Sequence, residues 1–167
     1  IEEPTKNNYF FLINNKSKPI LETIKSRSLE IKIILNEDQR IKIIKNLLIT
    51  FNQEKVLDPK TSQLSPGNFV RFNYLCHEYK IDILIKLKDN LPILLNLYKK
   101  NKDIFFINLI FFLADYYLKY LKNKNLFKND KIFEIKNNIF DNLNNFIHYN
   151  INQNSLINAI NEKLRHE

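Results

Sequence analysis

One arginine, between two serines, is the residue of this chain best suited to chemistry. Arg27 lies in the stretch "ILETIKSRSLEIKI" (20–33), in a chain that has 22 lysines but only 4 arginines. A planar guanidinium contacts two phosphate oxygens at once, which a lysine ammonium does poorly. An arginine at this position of so lysine-rich a chain therefore calls for an explanation. One explanation is a surface ion pair with Glu22 or Glu30.

The other residues offer little for independent catalysis. Cys76 and His77 are adjacent, but a cysteine–histidine pair without further ligands does not predict a metal site. His148 and His166 have no nucleophile arrangement around them. Gly67 is the only glycine, so neither a G-x-x-x-x-G-K loop nor a G-x-G-x-x-G turn can form. We expect no cofactor, no metal and no independent enzyme in this chain.

Composition predicts one ordinary domain or two small ones. The chain has 167 residues, 44% of them hydrophobic, and a net charge of +8. That charge suggests an acidic partner such as nucleic acid. However, isoleucine, lysine and asparagine are enriched together, as in AT-rich genomes, so the charge by itself is weak evidence for such a partner. The most apolar run, 104–114, stops at Asp115 and is too short for a membrane span. We expect a cytoplasmic protein, and the absence of methionine suggests a fragment.

Apolar patterning predicts two strands before a helical remainder. The strands are expected at 8–13 and 29–34, separated by one or two helical turns that lead to Arg27. Two strands are too few for a stable sheet. The expected fold class is therefore mainly α, with the truncated end of an α/β core at the front.

Helix start signals divide the remainder. Asn36 and Gln39 form a capping-box pattern, and Ser65 followed by Pro66 is typical of another helix start. Further helices are predicted at about 82–99, 102–122, 130–149 and 153–165.

Two prolines are expected to disturb this pattern. Pro59 should interrupt a short helix, and Pro92 should kink or split the helix at 82–99. The helix at 102–122 is apolar nearly all round, so it must be covered on several sides.

Four short blocks resemble the bacterial clamp-loader ATPases of the AAA+ family. "IEEP" (1–4) is similar to the segment after the Walker B region, and "FFLINN" (10–15) to the sensor 1 strand. "PILETIKSRS" (19–28) resembles the arginine-finger segment, and "LSPGNFVRF" (64–72) the start of the sensor 2 helix. The resemblance implies that Arg27, with Ser26 beside it, acts as an arginine finger on ATP bound by a neighbouring subunit.

Gly67 favours the delta-prime branch of this family. The gamma/tau motor subunits have a nucleotide-contacting arginine at that position, and glycine cannot replace it. The resemblance thus implies a degenerate sensor 2 region at Pro66 and Gly67, and a sensor 1 region at Asn14 and Asn15. Ser28 stands where the family has a cysteine that does not meet phosphate.

The resemblance also implies a layout and a set of partners. A core remnant (1–35) would precede a helical lid (36–80) and a helical collar (81–167) that joins subunits into a ring. The partners would be gamma/tau motor subunits, the delta subunit and, through the complex, primed DNA, with no membrane. The ATP-binding half, and the zinc module that many relatives carry there, would precede Ile1.

The all-round apolar helix is the expected centre of the subunit contacts. Its two apolar faces supply the interface candidates Phe105, Phe106, Leu109, Ile110, Phe112 and Leu113. Two other functions stay open: a gamma/tau motor subunit, and a basic helical nucleic-acid-binding module that uses the lysines around 99–102 and 119–131.

Overall fold

The computed structural model describes residues 9–14, 19–83, 87–124, 126, 128–149 and 151–164. Within these ranges the chain forms eight α-helices and no strand, so the expectation of a mainly α fold is confirmed. Two compact units are present, Ile1–Leu35 and Asn36–Glu167. The division falls between residues 35 and 36, and the assignment of the first unit to a core remnant stays a prediction. The expected lid and collar lie together in the second unit.

The first unit contains only one turn of helix, α1 (Glu22–Lys25), among its described residues. The predicted strands at 8–13 and 29–34 are wrong over the residues described, which have no regular secondary structure. A strand needs a neighbour for its backbone N–H and C=O groups, and these segments have none in the described part of the unit. Their apolar side chains are consequently exposed, from Tyr9 to Ile13 and again at Leu29, Ile31 and Ile33.

The second unit begins with the predicted capping box. The Gln39 N–H donates to Asn36 Oδ1 (2.8 Å) and the Asn36 N–H to Gln39 Oε1 (3.1 Å), which starts α2 (Glu37–Thr50). Pro59 begins the short α3 (Pro59–Ser62) instead of interrupting a helix, because Asp58 caps it and proline fits the first helical position.

Helix α4 (Pro66–Glu78) also begins as predicted, with Ser65 as its cap and Pro66 in its first position. It carries a fully buried amide, Asn73. The Asn73 Oδ1 accepts from the N–H groups of Val56 (2.8 Å) and Leu57 (3.0 Å), while Nδ2 donates to the Glu54 carbonyl (2.7 Å). These bonds let the irregular segment between α2 and α3 pack against α4 without unsatisfied backbone groups.

Four longer helices complete the unit: α5 (Leu87–Asn101), α6 (Ile104–Asn123), α7 (Asn129–Tyr149) and α8 (Gln153–Lys163). Pro92 lies inside α5 and does not split it, contrary to one of the two predicted outcomes. Helices α5 and α7 pack along α6, and α8 packs against α5 and α7.

Helix α6 is the centre of this packing. Phe112 meets Phe72 of α4 with ring centroids 5.6 Å apart, and Phe111 meets Phe140 of α7 edge-to-face at 4.8 Å. By length and composition alone, α6 is also long and apolar enough to cross a membrane. The sequence prediction considered only its most apolar run, 104–114, which ends at Asp115 and is too short for a span. Asp115 is half-buried and paired with Lys119 and with Lys136 of α7.

Removing the Asn73 amide should destabilise the second unit. Asn73→Ala leaves the N–H groups of Val56 and the buried Leu57 without an acceptor, so the free energy of unfolding should fall by about 1–3 kcal/mol. Asn68→Ala, an exposed change on the same helix, is the matched control and should change it by less than about 0.5 kcal/mol. Urea unfolding measures both, and equal values for the two variants would contradict the role given to Asn73.

The Asp115 ion pairs should make stability depend on pH in the acid range. Burial raises the pKa of Asp115, but hydrogen bonds and charge from Lys119 and Lys136 outweigh it, so the pKa lies below the usual 3.8. A lowered folded-state pKa contributes stability above 3.8 that is lost as the pH falls through the folded value.

Asp115→Asn should therefore lower stability at pH 7 by about 1 kcal/mol or less, and should flatten its decline between about pH 4 and pH 2. Asp130→Asn, an exposed carboxylate on α7, is the control and should retain the decline. Urea midpoints at each pH measure this, and an unchanged decline in Asp115→Asn would rule out this account.

Candidate functional site

Arg27 follows the single turn of α1, in a backbone fixed by short-range hydrogen bonds. Its N–H donates to the Ile24 carbonyl at 3.2 Å. Ser28 Oγ donates to the same carbonyl at 2.8 Å, and Ser26 Oγ to the Thr23 carbonyl at 3.2 Å. The two serines thus satisfy carbonyls at the end of α1 that have no partner within the helix. Arg27 lies between them and is exposed.

The other sequence-predicted residues of this unit lie at its surface or outside the described residues. Asn14 is exposed, and Asn15 is outside the described part of the chain. Glu22, one of the two carboxylates considered as partners of Arg27, lies 3.8 Å from Lys25, and both side chains are largely exposed. Ion pairs of this kind contribute little to stability.

Two further arginines have structural contacts that sequence reasoning missed. Arg40 donates to the carbonyls of Pro59 (2.7 Å) and Leu64 (3.1 Å), and thereby joins α2 to the first residue of α3 and to the segment that follows α3. Arg71 of α4 lies 2.6 Å from Asp103 and 3.8 Å above the ring of Phe105. Each contact uses the planar, multiply donating guanidinium, which lysine cannot reproduce.

Asp103 connects this contact to the start of α6. Its side chain accepts from the Phe105 N–H at 2.9 Å and caps the helix, as well as accepting from Arg71. The Phe105 hydrogen bond lowers the pKa of Asp103, burial opposes it, and the Arg71 hydrogen bond and charge lower it further. One carboxylate therefore stabilises the start of α6 and joins α4 to it.

Pro66 and Gly67 occupy the first turn of α4, where the resemblance expects sensor 2. A Cβ added at Gly67 would meet nothing within 4 Å, so the position has room for a side chain. Gly67 lines an open cavity of about 670 Å³, which also contains Arg71 one turn later on the same helix. The rest of its wall is mostly apolar and includes Leu47, Phe51, Val70 and Phe106.

The interface candidates on α6 are largely covered by the chain itself. Phe106, Leu109, Ile110 and Leu113 are buried within the second unit. Phe105 and Phe112 are only partly buried. These two are the candidates with surface left for another subunit, and the subunit contact itself stays a prediction.

Cys76 and His77 are adjacent in sequence but differ in exposure to solvent. Cys76 is buried, and burial raises the pKa of its thiol to about 12. His77 is exposed, 3.9 Å from Glu54. Among the described residues, no group of three histidine, cysteine or acidic side chains is placed to hold a metal ion.

The two lysine groups considered for nucleic-acid binding lie at opposite ends of α6. The group at 99–102 precedes the helix, and the group at 119–131 begins in its last turns. The 20 residues of α6 rise about 1.5 Å each, or about 30 Å in total. The two groups therefore do not form one continuous face.

Comparisons of the chain with known protein families, with curated proteins and with solved structures find no match. The resemblance to clamp-loader subunits therefore depends on the four short sequence blocks at 1–4, 10–15, 19–28 and 64–72.

Gly67→Ala should stabilise the protein. Glycine is less favourable than alanine in a helix, and here the added methyl group has open space, so the free energy of unfolding should rise by up to about 1 kcal/mol. Urea unfolding provides the measurement, with Asn68→Ala as the neighbouring control. A loss of stability on Gly67→Ala would show that the cavity cannot accept a side chain there.

Proposed function

We propose that the chain is the C-terminal part of the delta-prime subunit of DNA polymerase III, the non-hydrolysing stator of a clamp loader. In this role it would place Arg27 at ATP bound by an adjacent motor subunit, while the complex loads the sliding clamp onto primed DNA. The delta subunit and the gamma/tau subunits would be its partners, in the cytoplasm.

The observation that carries the proposal is the setting of Arg27. Arg27 is exposed at the end of a helical turn whose carbonyls are satisfied by the flanking serines. An exposed guanidinium on a locally hydrogen-bonded backbone is what a residue acting on another molecule requires.

The proposed chemistry is electrostatic. Negative charge spreads over the γ-phosphate oxygens as the bond to the β-phosphate breaks, and a guanidinium stabilises that charge through two hydrogen bonds. Arg27 would stabilise the transition state without forming a covalent bond. The chain would have no hydrolytic activity by itself.

Gly67 supports the stator over a motor subunit. A motor subunit needs a cation at the sensor 2 position to contact its own nucleotide. Gly67 supplies none, although the space beside it could hold a larger side chain. The nearby guanidinium of Arg71 is bound to Asp103.

The test is the exchange of Arg27 in the full-length protein, assembled with motor and delta subunits. Arg27→Ala should leave assembly unchanged but reduce DNA-stimulated ATP hydrolysis and clamp loading. An arginine finger contributes about 10³–10⁵ in rate at its own site, and the total decrease should be smaller because the other sites retain theirs. Arg27→Lys should restore little, since an ammonium makes a point contact.

Lys25→Ala is the matched control, since it removes an exposed cation from the same turn and should leave turnover unchanged. Size-exclusion chromatography verifies assembly of each variant. Wild-type hydrolysis and loading by an assembled Arg27→Ala complex would overturn the proposed function.

A further inference from the structure

The open cavity beside Gly67 is a groove that follows one face of α4, here called the α4 groove. Its floor is buried and apolar, and is formed by Val70 and Leu75 of α4 and by Phe106 of α6. The lining residues of α4 extend from Gly67 to Tyr79, a distance of about 18 Å at about 1.5 Å per residue.

The dimensions of the groove match a short helix. A helix about 18 Å long and about 10 Å across occupies about 1,400 Å³. The cavity of about 670 Å³ therefore has room for about half the thickness of such a helix, with the other half in water.

Two aromatic side chains at the edge of the groove are exposed. Phe51, the C-cap of α2, is 59% exposed, and Tyr74 of α4 is 47% exposed. Neither ring contacts another aromatic ring or a cation within the described residues. Exposed aromatic side chains beside a buried apolar floor are typical of the anchor positions of a protein interface.

Positive charge borders the groove where α5 ends and α6 begins. Asn101 and Asp103 line the groove there, and the lysines next to them in the chain are Lys99, Lys100 and Lys102. All three lysines are exposed, and none forms an ion pair in the described part of the chain. Asp103 does not compensate them, because it is bound to Arg71.

The carboxylates near the groove lie at the other end of α4. Glu54 is 3.9 Å from His77 in the last turn of the helix, and Glu78 is its last residue. The charge of the border therefore changes along α4, from positive beside Arg71 to mixed at the C-terminal end.

The charges and the apolar floor favour one kind of occupant. A net charge of +8 disfavours a second copy of this chain. Nucleic acid is disfavoured because phosphates need hydrogen-bond donors, which an apolar floor does not provide. An apolar helix face fits the floor, and acidic residues on that helix fit the lysines.

We propose that the α4 groove binds an amphipathic helix of a partner protein, with acidic residues where the helix passes Lys99, Lys100 and Lys102. Apolar side chains at positions i, i+4 and i+7 of that helix would cover the floor between Phe51 and Tyr74. The proposal depends on the second unit alone and goes beyond the clamp-loader function, which is tested through Arg27.

The experiment measures binding of three fluorescent helical peptides of about 16 residues to the 167-residue chain by anisotropy. Two peptides share one apolar stripe and carry either glutamates or lysines at one end, and the third is a scrambled form of the glutamate peptide. The glutamate peptide should bind at least about tenfold more tightly than the other two. Equal binding of the lysine peptide or of the scrambled peptide would overturn the proposal.

Gly67→Leu tests the groove itself. The new side chain enters open space, since a Cβ at Gly67 meets nothing within 4 Å, so the variant should fold and should weaken binding about tenfold or more. Asn68→Leu, on an exposed neighbour that does not line the groove, is the matched control and should bind like the wild type. Tyr74→Ala removes an anchor and should weaken binding as well. Urea unfolding verifies that each variant is folded, and wild-type binding by folded Gly67→Leu and Tyr74→Ala would contradict the proposal.

The triple variant K99Q/K100Q/K102Q tests the charged border. It should weaken binding of the glutamate peptide about tenfold and remove most of its salt dependence. K122Q/K124Q/K128Q, which removes the same charge at the other end of α6, is the control and should retain both. An equal loss in the two triple variants would reduce the effect to net charge and overturn the proposal. Binding of the dye anilinonaphthalene sulfonate that Gly67→Leu abolishes, without binding of the glutamate peptide, would assign the cavity to a small apolar ligand instead.

Discussion

The need to cover α6 on nearly every side determines the architecture of the second unit. A helix with apolar residues around its whole circumference is stable in water only when several neighbours bury it. Helices α5 and α7 cover two sides, and aromatic residues of α4 reach a third. Because α4 belongs to the expected lid and α6 to the expected collar, this burial makes the two parts one compact unit.

Polar contacts then fix how the apolar elements meet. Asp103 caps α6 and binds Arg71, whose guanidinium lies flat on Phe105, so the beginning of the central helix is held against α4. Asn73 has the same function at the other side of α4, where it satisfies backbone groups of the irregular 53–57 segment. Hydrogen bonds add orientation to hydrophobic burial, which has no direction of its own.

Helices were predictable from the sequence where the signal is local. The Asn36–Gln39 capping box and the Ser65–Pro66 start depend on residues three positions apart or fewer, and α6 was predicted within two residues at each end. The strand predictions at 8–13 and 29–34 were wrong because neither an apolar run nor an alternating pattern supplies a partner for the backbone of a strand. Pro59 was misread since proline both ends and begins helices. In the candidate site, Arg27 is exposed, and its role stays a prediction. The contacts of Arg40 and Arg71 join residues 19 to 32 positions apart, and no local pattern indicates them.

The buried thiol of Cys76 has a practical consequence. Disulfide exchange and alkylation proceed through the thiolate, and a side chain that is both covered and this weakly acidic presents almost none at neutral pH. Since the chain has no other cysteine, the folded protein should be inert to maleimide reagents without any prior substitution. A cysteine introduced beside Arg27 would then be the single labelled position, and would report on that surface by fluorescence or spin-label spectroscopy.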